Sequence, residues 1–345
     1  MTAGGRISVV AAMLNEEEHV ESLAGDLGAQ DYGGDIEVFV ADGGSTDRSR
    51  ELLTRAARRE GLDLTIVENP RRIVSTGLNA CIERCSGELI VRVDCHSRYP
   101  PDYLTRCAQA AEETGAWNVG GVYEAVGRTP TERAVASALA TPFGGVNWTR
   151  DVGRGERVET DTVYLGAFRP IAFERAGLYS ESLVRNQDDE LNLRIRRAGG
   201  RIVLDPSIRA EYTPRGTFRG LARQYYDYGF WKSIVMAEHR QVLSARSLAP
   251  VAFVASFAVL GTASTGSPLA RRLLAAELAL YAGAAVGFGL AGLRERREPP
   301  RLLARVAAVY PTLHLSYGVG MTAGALRLLR RRRTASGPAV PGGAG

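Results

Sequence analysis

Up to about residue 125, short apolar runs alternate with longer amphipathic stretches. ISVVAAM (7–13) leads into EEEHVESLAGDLGAQ, and IEVFVAD (36–42) into DRSRELLTRAARREG. LTIVEN (64–69) leads into STGLNACIERCSG, and ELIVRVD (88–94) into PDYLTRCAQAAEETG. Short, continuously apolar runs suit strands covered on both faces, and the stretches between them have helical spacing. Four strand-then-helix repeats predict an α/β domain built on a doubly wound, mostly parallel sheet. From about 126 to 160 the periodicity weakens, and PFGGVNWTRDVGRGERVETD reads as a mobile loop. TVYLGAFRP (162–170) and RIVLDP (201–206) read as further strands. QDDELNLRIRRAGG (187–200) reads as a helix with a glycine stop, and FRGLARQYYDYGFWKSIVMAEHR (218–240) as an amphipathic, aromatic helix.

After Ser247 the pattern changes. Segments 248–270, 273–293 and 302–326 each approach the roughly 20 apolar residues that span a bilayer. Glu277 interrupts the second, and Arg305, Pro311 and His314 the third. RERREPPR (294–301) and RLLRRRR (327–333) flank them. Basic clusters beside apolar segments suit an anionic membrane surface. The alternative is a set of buried helices in a soluble domain. The predicted organisation is a catalytic domain over 1–240, a membrane-associated helical region over 247–330, and a disordered tail over 331–345.

Composition adds limits. A chain of 345 residues with 45% hydrophobic content suffices for one large domain or two. The net charge of +5 is concentrated near the apolar segments. No basic helix is interleaved with stacking aromatics, which argues against nucleic acid. The four cysteines, Cys81, Cys85, Cys95 and Cys107, form neither a C-x-x-C pair nor a zinc spacing, and fit a reducing compartment. MTAGGRISVVAAMLNEEE meets acids at once and reads as a first strand, with no signal-peptide cleavage pattern.

In open parallel sheets, ligands bind beyond the carboxyl ends of the strands. The first strand delivers Asn15 and Glu16 to that edge, and the second delivers Asp42, Gly43, Gly44, Ser45 and Asp47. The third leads to Asn69, Pro70 and Arg71, and the fourth to Asp94 and His96. Such a polar rim is what a nucleotide requires: acids accept from a ribose or a base, and glycines permit close backbone approach. A capped turn in which Ser45 and Asp47 start the next helix explains DGGSTD equally well. No G-x-G-x-x-G, P-loop or G-x-S-x-G pattern is present.

NEEEHV, VADGGSTDRS, VDCHSRYPPDYL, NQDDELNLRIRRAGGRIVLDP and RQYYDYGFWK, in that order, resemble the motifs of the family 2 inverting glycosyltransferases with the A-type nucleotide-diphospho-sugar transferase fold. The resemblance covers roughly 6–235 and is most similar to membrane-linked enzymes of the succinoglycan-biosynthesis type. It implies a nucleotide-diphospho-sugar donor, expected to be a UDP-sugar, and a lipid-linked or polysaccharide acceptor. It implies nucleotide-sugar binding by Asn15, Glu16, Asp42, Gly43, Arg71 and Asp94. It also implies a divalent ion, Mn²⁺ or Mg²⁺, at the position of the family's Asp-x-Asp motif.

Here that motif reads Asp94-Cys95-His96, and imidazole suits Mn²⁺ better than hard Mg²⁺. Three readings stay open for His96: metal ligand, direct diphosphate contact, or a residue that caps the next turn. QDDEL stands where the family carries its Glu-Asp motif, which implies catalysis by the acids Asp188, Asp189 and Glu190. Alignment on Leu191 puts Asp188 at the base position, and a one-residue slip would promote Asp189. An acidic helix N-terminus stabilised by its dipole is the competing account of these acids. Gln224, Tyr228 and Trp231 are expected to contact the acceptor or the diphosphate, or merely to pack their helix.

The function implied is inverting sugar transfer at the inner face of the cytoplasmic membrane, with the catalytic domain cytosolic. A catalytically silent sugar-nucleotide-binding membrane scaffold is the alternative. With a cytosolic domain, three full spans would export RLLRRRR, against the positive-inside bias. The predicted topology is therefore a hairpin of 248–270 and 273–293, joined at Arg271 and Arg272. Segment 302–326 then lies in the interface or re-enters from the cytosolic side.

Overall fold

The computed structural model of the protein describes residues 4–145, 155–240 and 245–335. The chain divides into two compact units, Met1–Pro214 and Arg215–Gly345.

The first unit opens with β1 (Ile7–Met13), α1 (Val20–Gly28), β2 (Ile36–Asp42), α2 (Ser49–Glu60), β3 (Asp63–Glu68), α3 (Val74–Ile82) and β4 (Leu89–Arg92). Next come β5 (Ser97–Arg98), α4 (Tyr103–Thr114), β6 (Asn118–Ala125) and α5 (Pro130–Leu139). It closes with β7 (Val158–Glu159), β8 (Tyr164–Phe168), α6 (Pro170–Ala176), α7 (Gln187–Arg197) and β9 (Ile202–Tyr212). The sheet order is β3-β2-β1-β4-β8-β6-β9-β5, with β7 paired to β9. The β3-β2-β1-β4 half is parallel, as the four strand–helix repeats predict. β8 lies antiparallel between β4 and β6, which makes the sheet mixed.

Strand alternation sends successive side chains to opposite faces. Val9, Val91 and Val93 join one apolar layer with Leu23, Leu53 and Leu104. Val10 and Ile90 join the other, with Leu78, Leu191 and Ile195. Arg92 therefore shares a face with Ile90, the face that α7 covers.

The weakly patterned stretch after 126 holds a helix. α5 opens with a full capping box, in which Thr129 accepts from the Glu132 N–H and Glu132 reaches back to the Thr129 N–H. Of the predicted loop, 146–154 lie outside the described residues, and Val158–Glu159 pair as β7. β9 runs past the predicted end at Pro206. The proline sits where the β6–β9 register shifts, and Asp205 accepts from the N–H and hydroxyl of Ser207 there. Such an irregularity tolerates a residue that cannot donate to the ladder. Gly121 lies in the same place, where a Cβ would overlap the Ile208 carbonyl.

The second unit contains α8 (Phe218–Glu238), α9 (Ala249–Ala263), α10 (Pro268–Glu295) and α11 (Leu303–Ala335). α8, predicted to belong with the catalytic domain, clusters with these helices. Gly229, Gly320 and Gly324 let it lie close against α11: a Cβ at Gly229 would overlap the Tyr317 carbonyl, and one at Gly320 the Tyr226 carbonyl. The backbone of α11 continues into the predicted tail as far as Ala335, and 336–345 lie outside the described residues.

Among the described helices, α10 is long and apolar enough to cross a membrane. α9 has 15 residues, about 22 Å at 1.5 Å each, against a hydrocarbon core of about 30 Å. Arg271 and Arg272, predicted to lie in a connection, fall inside α10. Ser267 caps that helix by accepting from the Ala270 N–H, and Pro268 occupies its first turn. Pro311 lies inside α11. On α10, Glu277 accepts from the Ser256 hydroxyl at 2.5 Å.

Candidate active site

The exits of β1 and β2 are laced together. The Gly43 N–H donates to the Met13 carbonyl at 2.8 Å, and the Asn15 N–H to the Ser45 hydroxyl at 3.0 Å. The Thr46 N–H donates to Asn15 Oδ1 at 2.9 Å, and the Glu16 N–H to the Ser49 hydroxyl at 2.7 Å. Asp42 is buried, and its Oδ1 accepts from both the N–H (3.0 Å) and the hydroxyl (2.7 Å) of Ser45. Asn15, with φ 56°, and Asp42 thus shape the rim themselves. Asp47 accepts from the Ser49 N–H at the start of α2, while Ser45, expected with it at the helix start, bonds Asp42 instead. Of the two glycines, Gly44 has φ +75° and demands glycine, while a Cβ at Gly43 would make ordinary contact only.

The exit of β3 joins the rim through the Asn69 N–H, which donates to the Asp42 carbonyl at 2.9 Å. Arg71 is exposed and ion-paired with Glu181.

At the exit of β4, the Val93 N–H still donates to the Val10 carbonyl of β1 at 2.9 Å, and Asp94 follows. The Tyr99 hydroxyl accepts from the Asp94 N–H at 2.7 Å and donates to the Asp94 carbonyl at 3.1 Å, which pins that backbone. Tyr99 is itself held by its N–H to Asp26, which also takes two bonds from Arg98. His96 is exposed, with Nδ1 3.7 Å from Glu16 Oε1 and its ring edge toward His19 at 6.3 Å between centroids.

α7 brings its acids to this edge. Asn186, in left-handed conformation at φ 59°, turns the chain into the helix. Asp188 pairs with Arg92, and a second Arg92 nitrogen lies 3.4 Å from Asp94 Oδ1. The Arg92 side chain is 8% exposed. Burial pushes the Asp188 carboxyl above its ordinary value; Arg92 opposes that shift, and Asp94 and Asp189 add to it. Glu190 is buried against Arg194 at 2.7 Å, and Arg194 also donates to the carbonyls of Ala176, Gly177 and Leu178 beyond α6. Its carboxylate is committed to tying α7 to α6. Further along, Asn192 accepts from Asn118 and donates to Thr162, which anchors the same helix to the sheet.

The structure thus brings together Asn15 with Asp42, Glu16 with His96, and Asp94 with Asp188. Gln224, Tyr228 and Trp231 lie on α8 of the second unit, where Gln224 Nε2 donates to the Tyr228 hydroxyl at 3.0 Å. Sequence reading passed over Arg92 and Tyr99. The signal for Arg92 was a lone cation in an apolar strand, since a buried guanidinium requires carboxylates. Among the described residues, no three His, Cys, Asp or Glu side chains converge as a metal site. Glu16 Oε1 and His96 Nδ1 come within 3.7 Å of each other, an oxygen and a nitrogen donor of the kinds a divalent ion takes.

The sequence profile described as Glycosyl transferase family 2 matches residues 8–173. The chain is 30% identical to the succinoglycan biosynthesis protein ExoA of Rhizobium meliloti (strain 1021) over 331 residues, 94% of this chain and 96% of that protein. It belongs to glycosyltransferase family 2. This glycosyltransferase is also 22% identical, over 67% of its length, to an enzyme of Methanococcus voltae. That relative is named dolichyl N-acetyl-alpha-D-glucosaminyl phosphate 3-beta-D-2,3-diacetamido-2,3-dideoxy-beta-D-glucuronosyltransferase, and 74% of it is covered. A mannosyltransferase from Pyrobaculum calidifontis, solved with GDP-Man and Mn²⁺, has the same fold: TM-score 0.65 at 23% identity, over 90% of this chain and 88% of that one. The glycosyltransferase thus has the A-type fold, followed by a helix of membrane-spanning length.

Proposed function

We propose that this glycosyltransferase moves a sugar, with inversion, from a nucleotide-diphospho-sugar to a lipid-linked or polysaccharide acceptor at the inner face of the cytoplasmic membrane. The observation that carries this reading is the meeting of Asp94, at a strand exit, with Asp188, at a helix start, on one buried guanidinium. Such a pair supplies one carboxylate that would hold a cation for the leaving diphosphate and another that takes the acceptor's proton. The names of the two relatives and the GDP-Man complex support the substrate classes.

The rim of Asn15, Asp42 and Gly43, with Arg71 just after the rim residue Asn69, takes the nucleoside; we expect a UDP-sugar. Asp94 and His96, with Glu16 behind, would hold a divalent ion, which when bound neutralises charge on the departing diphosphate. The acceptor hydroxyl oxygen attacks the anomeric carbon. The bond from that carbon to the diphosphate oxygen breaks, and the nucleotide diphosphate leaves with the electron pair. Asp188 takes the hydroxyl proton. Asp189 lies beside it and Glu190 holds the helix in place. Gln224, Tyr228 and Trp231 are assigned to the acceptor or the diphosphate.

Membranes containing the protein, incubated with radiolabelled UDP- and GDP-sugars and Mn²⁺, are expected to transfer label to lipid or glycan. A full panel with nucleotide bound but no label transferred or released would sink the reading.

Sidedness has its own test. The native thiols are poor targets: Cys81 is buried and pushed up to about 12, and Cys85 is pushed up to about 11, both chiefly by burial. Arg58 is exposed, so Arg58→Cys offers a reactive thiol. A membrane-impermeant maleimide is expected to label it only after permeabilisation. Labelling of intact cells would place the first unit outside.

A further inference from the structure

We propose that Arg92 is a positioning residue for transfer, fixing the Asp188 carboxylate in place relative to Asp94. The inference rests on the reading of Asp188 as the base. Strand alternation turns Arg92 into the layer beneath α7, where its side chain is 8% exposed. There it meets carboxylates from two elements far apart in the chain. One nitrogen pairs with Asp188, another lies 3.4 Å from Asp94 Oδ1, and the Tyr179 ring lies 6.0 Å from the guanidinium carbon. Its Nε has no hydrogen-bond partner among the described residues, and its terminal nitrogens bond to the two carboxylates.

The planar fork of arginine sets the directions of its N–H groups, which a lysine ammonium does not. With both carboxylates on one rigid fork, their separation is set by the guanidinium and not by two independent rotamers. Asp188 cannot swing away without leaving a buried cation short of a partner, which is strongly unfavourable. Near-attack geometry is sensitive to displacements on the order of 1 Å, so a base held this way is worth more than one free to turn. A mere staple between α7 and β4 would act on stability alone. Positioning acts on turnover, through the placement of Asp188 relative to Asp94.

The test is a double-mutant cycle on the full-length protein, with Arg92→Lys as a separate probe. Binding of UDP and of GDP with Mn²⁺ is followed by calorimetry. Turnover is followed as nucleotide diphosphate release from whichever sugar of the panel is consumed. Arg92→Met is expected to lower kcat by about 100-fold and leave nucleotide Kd within about threefold. Arg92→Lys recovers part of that loss, and free guanidinium restores part of the turnover of Arg92→Met. Added to Asp188→Asn, Arg92→Met lowers the residual rate by less than about twofold.

A kcat for Arg92→Met within about threefold of wild type overturns the inference, as does an equal loss in both backgrounds. If Arg92→Met does not fold, Arg92→Lys decides: a lowered kcat at unchanged nucleotide Kd supports positioning, and an unchanged kcat overturns it. Full turnover by Asp188→Asn would remove the base assignment and this inference together. An inactive Asp188→Asn beside an indifferent Arg92→Met would remove this inference alone.

Discussion

Asp188→Asn is expected to lower transfer by about 10³-fold and to leave nucleotide-sugar binding nearly unchanged, the effect of losing a general base. Asn keeps the shape and a hydrogen bond to Arg92 but cannot take the acceptor's proton. Asp189→Asn is expected to cost far less, because Asp188, not Asp189, is the acid paired with Arg92 in the structure. Glu190→Gln should act on stability first, since Glu190 is buried against Arg194. Parallel measurement of donor Kd, kcat and melting temperature separates the three. A reversal between Asp188→Asn and Asp189→Asn would shift the base by one residue. The pH profile adds a check. Burial raises the Asp188 carboxyl and Arg92 opposes this, so the acidic limb of kcat should lie above the usual carboxylate range. Activity falls as pH drops through that limb, because the protonated carboxyl no longer accepts.

EDTA is expected to abolish turnover, and Mn²⁺ to restore it at least as well as Mg²⁺. The reason is chemical: an imidazole stands where a second carboxylate would favour the harder ion. Asp94→Asn should lose most of the metal-dependent rate, about 10²-fold or more, as expected when stabilisation of developing charge is removed. His96→Asp should move the preference toward Mg²⁺. The geometry allows this exchange, because His96 is exposed beside Glu16 and not locked in the core. Turnover that ignores EDTA, or a His96→Asp variant with unaltered metal preference, would remove the metal from Asp94 and His96.

Local periodicity determined much of the first unit. Strands covered on both faces are largely apolar, so β1, β2 and β4 are visible as runs, with the more exposed edge strand β3 as a shorter one, and the rule for parallel sheets points to their exits. That is why Asn15, Asp42, Asp94 and His96 could be singled out from the chain alone. α5 and the start of α10 differ from what the periodicity predicts, although Thr129 and Glu132 form a capping box and Ser267 and Pro268 a helix start: local capping competes there with weak or continuous apolar patterning.

The pairing of Arg92 with Asp188 was not legible. The two are 96 residues apart, and only the covering of β4 by α7 brings them together. Which acid of QDDEL faces the sheet depends on the rotation of α7, set by Leu191 and Ile195 packing below and by Arg194 holding Glu190 at the next turn. The continuation of β9 past Pro206 likewise depends on its partner, since a proline is tolerated where the ladder is already broken by the β6 register shift. A sequence records which groups are available. Only tertiary packing decides which of them share a buried charge, because that choice is made by the low-dielectric interior and not by neighbours along the chain.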